Sequence, residues 1–172
     1  GPNETAIDFF YDKGVRTFIT VDCGATAIDA MDFADKKGMN AIIIDHHKVD
    51  EPLPKCVAHI NPSREEDNSF LDDLAAVGLT FVFIVGLRRA IRVLNLFPEI
   101  TEPSLKQYLD LVALGTVCDV VQLKGLNRAF VKEGIDIIAK RQRPGIEGLR
   151  SISNTSDIGV TELGFRIGPR IN

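Results

Sequence analysis

Two short runs of β-branched and aliphatic residues, each closed by an aspartate, constrain this chain more than any other feature. Val15–Asp22 (VRTFITVD) lies between Gly14 and Gly24, and Ala41–Asp45 (AIIID) follows Gly38. Both read as buried strands. Between them Ala27, Ile28, Met31, Phe33 and Ala34 recur at a spacing that suits a helix packed on a sheet, with Gly38 as its stop signal. Strand, helix and strand within about thirty residues make a βαβ unit with parallel strands and a right-handed crossover. The fold class expected is α/β, a parallel sheet with helices on both faces.

Around this unit, Ile7–Lys13 reads as a short helix end. Lys48–Pro62 holds three prolines and cannot be helical, and within it Val57–Ile60 is a candidate third strand. An acidic loop covers Arg64–Asp73. Leu74–Leu94 is apolar nearly all round, which predicts a buried helix. Thr101-Glu102-Pro103 resembles a helix start for a segment running to about Leu114. Asn127–Arg141 is amphipathic, Pro144-Gly145 reads as the turn that ends it, and Thr161–Asn172 reads as the start of a further helix. One core domain over residues 1–150 is expected, with 151–172 opening a linker helix toward a domain that the chain does not contain.

A chain of 172 residues, 45% hydrophobic and 26% charged, can bury one substantial core. The apolar stretch Leu79–Leu87 is broken by Gly86 and followed by Arg88 and Arg89, short of a membrane span. Cys23, Cys56 and Cys118 are an odd number without framework spacing, which argues for a reducing cytoplasm. A net charge of −4 gives no whole-chain electrostatic case for nucleic acid, so phosphate contacts would have to be local or lie elsewhere. Gly1-Pro2 reads as a cleavage scar from recombinant expression.

The residues able to carry chemistry stand directly after the two strands: Asp22-Cys23-Gly24 and Asp45-His46-His47. The carboxyl ends of parallel strands form the crevice where ligands bind, so Asp22 and the Asp45 cluster are expected to be neighbours. Carboxylate and imidazole donors together suit manganese, zinc or iron, and a larger carboxylate share favours manganese or magnesium. Taken alone, Asp22 reads equally well as a helix N-cap, and a histidine pair in a loop is more often exposed or hydrogen bonded than ligating. A third cluster, Leu114–Val121 (LGTVCDVV), sets Asp119 among apolar neighbours, where burial would need a partner; an aspartate at a helix end bonded to backbone amides is the alternative.

Together these clusters resemble the DHH phosphoesterase superfamily, and within it the RecJ group of exonucleases. The resemblance is carried by Ile19–Gly24 (ITVDCG), Ile44–His47 (IDHH), Ile60-Asn61-Pro62, Leu74–Leu79 (LAAVGL), Ala113–Leu123 (ALGTVCDVVQL) and Phe165–Asn172 (FRIGPRIN), in order along nearly the whole chain. It implies Asp22, His46 and Asp119 as metal ligands and His47 beside them as a further catalytic residue touching the scissile phosphate or a metal. Asp45 would support the histidines from behind, with Asn61 and Arg170 as substrate-side candidates. For Arg170, ordinary helix-surface packing is the competing reading. The activity implied is hydrolysis of phosphodiesters with two Mn²⁺ or Mg²⁺ ions, releasing nucleotides from the 5′ end of single-stranded DNA. The family's upstream Asp-x-Asp motif has no counterpart here, since Asp8 and Asp12 sit in the aromatic, helical-looking IDFFYD. The chain by itself is therefore expected to hydrolyse little or nothing.

Three other readings compete. A different DHH enzyme, acting on oligoribonucleotides, cyclic dinucleotides or pyrophosphate, would share every ligand. A non-catalytic module like the metal-free DHH-like replication factors would have no use for Asp22, His46, His47 and Asp119. A plain nucleotide-binding α/β domain would place a glycine-rich phosphate loop after one of the strands, and neither strand is followed by one.

Overall fold

The side chain of Asn3 accepts a hydrogen bond from the Ala6 amide at 2.9 Å and starts α1 (Glu4–Asp12) three residues before the expected helix end at Ile7. The computed structural model describes residues 1–171, so Asn172, the last residue of the helix expected from Thr161, lies outside the described residues. By residue contacts the chain separates into two compact units, Gly1–Thr80 and the residues from Phe81 onward.

In the first unit, β1 (Thr17–Val21), α2 (Ile28–Lys36) and β2 (Asn40–Ile44) form the βαβ unit read from the sequence, and β3 (Ala58–Ile60) adds a third strand. All neighbours are parallel and the order is β1-β2-β3. The register pairs Thr17 with Asn40 and Val21 with Ile44, then Ile44 with Ile60, so all three strands end level. Phe18, Ala41 and Ile43 pack with Met31 and Ala27 of the α2 side, and Ile7 of α1 joins Ala30, Ala34 and Met39.

β1 is not the buried strand that its composition suggests. Its alternation puts Phe18 and Thr20 toward α2 and leaves Ile19 and Val21 on the other face, 50% and 44% exposed. Among the described residues it pairs on one side only. The turn after β1 is tight: Gly24 has φ +105°, and a Cβ there would come within 2.7 Å of Thr20 Oγ1.

The division between the units falls inside α3 (Ala76–Val93). Ala76, Gly78 and Leu79 are buried, but no residue from Phe81 to Val93 is fully buried, which corrects the expectation of a buried helix. An all-round apolar helix needs cover on every side. Its later turns have it in part, for example where Phe81 meets Phe130 edge-to-face with ring centroids 5.4 Å apart.

In the second unit the helix expected from Thr101 begins later. Leu105–Tyr108 is a 3₁₀ turn leading into α4 (Leu109–Cys118), which runs straight through Gly115 and the fully buried Thr116. α4 packs closely on α5 (Gly125–Ile138), an approach that the absent side chain of Gly134 permits, since a Cβ there would overlap the Leu109 carbonyl oxygen. Pro144 does not close a turn: it occupies the first turn of α6 (Pro144–Ile152), where its missing N–H is harmless. A last helical stretch opens with α7 (Val160–Glu162), then has π geometry over Leu163–Ile167 and 3₁₀ geometry over Gly168–Arg170. Leu163 and Ile167 join Ala113, Val131, Ile138 and Ile146 in one core, so residues beyond 150 complete this unit. Residues expected to open a linker helix thus pack within the second unit.

Candidate metal centre

Asp22 continues the ladder by one bond, its N–H donating to the Ile44 carbonyl at 3.0 Å, and then leaves the strand in a left-handed conformation with φ 61°. Aspartate tolerates that region better than most residues, and it turns the chain sharply at the sheet edge. Asp45 continues β2 in the same way, its N–H donating to the Ile60 carbonyl at 3.0 Å. The level register therefore delivers both loops to one edge, as the topology predicts.

The two aspartates do different work. Asp45 is 1% exposed and points inward. Its Oδ2 accepts from the Ala25 amide at 3.0 Å, while Oδ1 accepts from the His46 amide at 2.8 Å, the His47 amide at 3.3 Å and His47 Nδ1 at 2.6 Å. Burial pushes its carboxyl pKa up, but the His47 ring and the three backbone amides outweigh it and leave the pKa below the ordinary carboxylate value. An ionised Asp45 fixes the proton of His47 on Nδ1, which puts the lone pair on Nε2.

Asp22 is exposed, and its Oδ1 lies 3.3 Å from His46 Nε2. One ligand atom each from Asp22, His46 and His47 fall within 4.8 Å of one another. The imidazoles stand edge-to-face, with centroids 4.8 Å apart. One carboxylate oxygen and two imidazoles converging at that spacing fit a divalent transition ion, and the set contains no thiolate that would demand a softer metal.

Asn61 follows β3 and is 3% exposed. Its Nδ2 donates to the His47 carbonyl at 2.9 Å and its Oδ1 accepts from the Ser63 amide at 2.8 Å. Both ends of the amide are engaged with loop backbone, so Asn61 holds the histidine loop. Ser63, which the sequence reading missed, donates its hydroxyl to the His46 carbonyl at 2.9 Å. Its signal was the Asn-Pro-Ser turn directly after a strand. Asp119 is the exposed C-cap of α4 in the second unit, its amide bonded to the Gly115 carbonyl, and is not the buried carboxylate expected from its apolar neighbours. Its expected part as a ligand rests on the segment resemblance alone. Arg170 is exposed in the second unit and its guanidinium donates to the Arg166 carbonyl, which is the helix-surface packing that competed with a substrate contact.

Residues 2–116 match the DHH family, N-terminal domain. The chain belongs to the DHH family. Among curated relatives of this DHH chain, the single-stranded-DNA-specific exonuclease RecJ of Dickeya dadantii is 39% identical over 165 residues, 93% of this chain and 29% of the relative. The protein of the same name from Escherichia coli is 36% identical over 177 residues, all of this chain and 31% of the relative. The DHH chain thus spans less than a third of the length of these curated relatives. A crystal structure of exonuclease RecJ bound to manganese superposes with a TM-score of 0.81 at 28% identity, covering all of this chain and 41% of that one. RecJ from Thermus thermophilus in complex with Mn²⁺ gives 0.77 at 29% identity, over 98% of this chain and 24% of that one. No described helix is long and apolar enough to cross a membrane.

Proposed function

We propose that this chain carries part of the metal centre of a phosphodiester-hydrolysing enzyme, and that the longer protein is a cytoplasmic, single-strand-specific DNA exonuclease working from the 5′ end. The observation that carries the reading is the convergence of Asp22, His46 and His47 within 4.8 Å at the level ends of two parallel strands. The names of the relatives and the manganese of the two RecJ structures support it. Other DHH activities are not favoured by these relatives, and a metal-free module would leave the three donors without purpose.

In this reading Asp22 and His46 Nε2 would hold Mn²⁺ or Mg²⁺, and a ligand role for Asp119 rests on the resemblance of its segment alone. A divalent cation bound there would supply Lewis acidity toward a phosphoryl oxygen and a water. His47, its Nδ1–H held by Asp45, offers Nε2 toward the scissile phosphate or a metal. Water adds to phosphorus, the bond to the leaving ribose oxygen breaks, and that oxygen takes up a proton. Because no Asp-x-Asp pair occurs in these 172 residues, we expect them by themselves to bind metal weakly and to hydrolyse single-stranded DNA little.

Mn²⁺ calorimetry on this chain beside His46→Ala and Asp119→Ala tests the reading. Weak binding that His46→Ala removes is the expected result, and loss in Asp119→Ala would add that residue to the ligands. Binding indifferent to His46→Ala, or none at millimolar metal, would overturn the metal centre.

A further inference from the structure

The His46-His47 dipeptide leaves the sheet, yet side chains bond all four of its backbone polar groups. Asp45 Oδ1 accepts both amides, Ser63 Oγ donates to the His46 carbonyl, and Asn61 Nδ2 donates to the His47 carbonyl. A loop outside the ladder has no repeating bonds to fix it, so these four contacts, together with the Asp45 Oδ1–His47 Nδ1 bond at 2.6 Å, help set where the two rings stand. We propose that Asn61, together with Ser63, is a positioning residue that sets the reach of His46 Nε2 to Asp22. The inference rests on the metal-centre reading above, and it gives β3 a part in the site without giving it a ligand.

The geometry behind it is continuous. β3 ends level with β2, and the Ile60 carbonyl takes the Asp45 amide, so the next residue, Asn61, stands beside the start of the histidine loop. Its Oδ1 receives the Ser63 amide in an Asx turn around Pro62, whose ring restricts the backbone there. That turn aims the Ser63 hydroxyl at the His46 carbonyl. The Asn61 amide thus acts twice, directly on His47 and through Ser63 on His46. Groups that orient metal ligands from behind commonly change metal affinity by about 10–100-fold when removed.

Asn61→Asp keeps the size of the side chain and its acceptor for Ser63, but sets an oxygen against the His47 carbonyl. Ser63→Ala removes the second clamp and Ser63→Thr keeps it. Two quantities decide: Mn²⁺ affinity well below the unfolding temperature, and the imidazole NMR signals of His46 and His47 in metal-free protein. We expect Asn61→Asp and Ser63→Ala to weaken Mn²⁺ about 10-fold or more and to move the ring signals, with Ser63→Thr restoring both. Unmoved rings and unchanged affinity, with only a lower melting temperature, would overturn the proposal and leave Asn61 a structural residue. Should the parent chain bind no Mn²⁺, the metal reading fails separately, and the ring signals alone decide the clamp. If Asn61→Asp does not fold, the Ser63 pair decides it.

Discussion

The Asp45 carboxylate bridges to the Ala25 amide, twenty residues earlier in the chain, at 3.0 Å. Through its other oxygen it holds the histidine loop, so one buried side chain ties the Asp22 turn to His46 and His47. Asp45→Asn removes the charge and sets an NH₂ against either the Ala25 amide or the histidine amides. We expect it to lower stability by about 1–3 kcal/mol and Mn²⁺ affinity by about 10–100-fold. Denaturant melts paired with calorimetry check this; a variant within about 0.5 kcal/mol of the parent would show that the bridge contributes little.

An ion pair stabilises the other unit. Asp110, 4% exposed, accepts from Arg143 Nε at 2.5 Å and from its terminal nitrogen at 3.0 Å, the forked geometry of a strong pair. Arg143→Met leaves the carboxylate buried without its cation, and we expect a loss of about 3 kcal/mol, the low end for such pairs because Arg143 is partly exposed. The Asp110→Leu, Arg143→Met double variant should recover most of that loss. Urea melts of Arg143→Met, of Asp110→Leu alone and of the double variant test the coupling, and additive losses would refute it.

His59 stands on β3 with both ring nitrogens buried and no hydrogen-bond partner among the described residues. Burial pushes its pKa below the usual imidazole value and the nearby Arg64 guanidinium acts in the same direction, with Asp45 and Glu66 opposing. With a folded pKa below the unfolded one, the neutral form contributes fully above about pH 6.5. As pH falls from there through the folded pKa, the unfolded chain takes up the proton first and stability is lost. His59→Phe removes both the unpaired nitrogens and this loss, so its gain should be about 1 kcal/mol at pH 8 and grow below pH 6.5. A stability difference independent of pH would rule out His59 as the titrating group.

The central βαβ unit was legible because β-branched runs and a helical period leave few alternatives, and strand-end topology then made Asp22 and Asp45 neighbours. Elements set by their surroundings were not. Pro144-Gly145 has the composition of a turn, but an extended Arg143 lets the proline open α6. Gly115-Thr116 looks like a helix end, but α4 continues past it, with Thr116 fully buried, to an exposed Asp119. The bonds from Asn61 and Ser63 to the histidine loop span 14 and 17 residues, a separation at which no local pattern signals a partner.

The pairing of Val21 with Ile44 also limits how the donor cluster can vary. Strands move past each other in whole residues of about 3.3 Å, and keeping the same face inward requires two, about 6.6 Å. A step that long would carry Asp22 out of reach of His46. The site is therefore digital: sheet register either assembles it or abolishes it, and only the loops beyond the last ladder bond can grade its affinity.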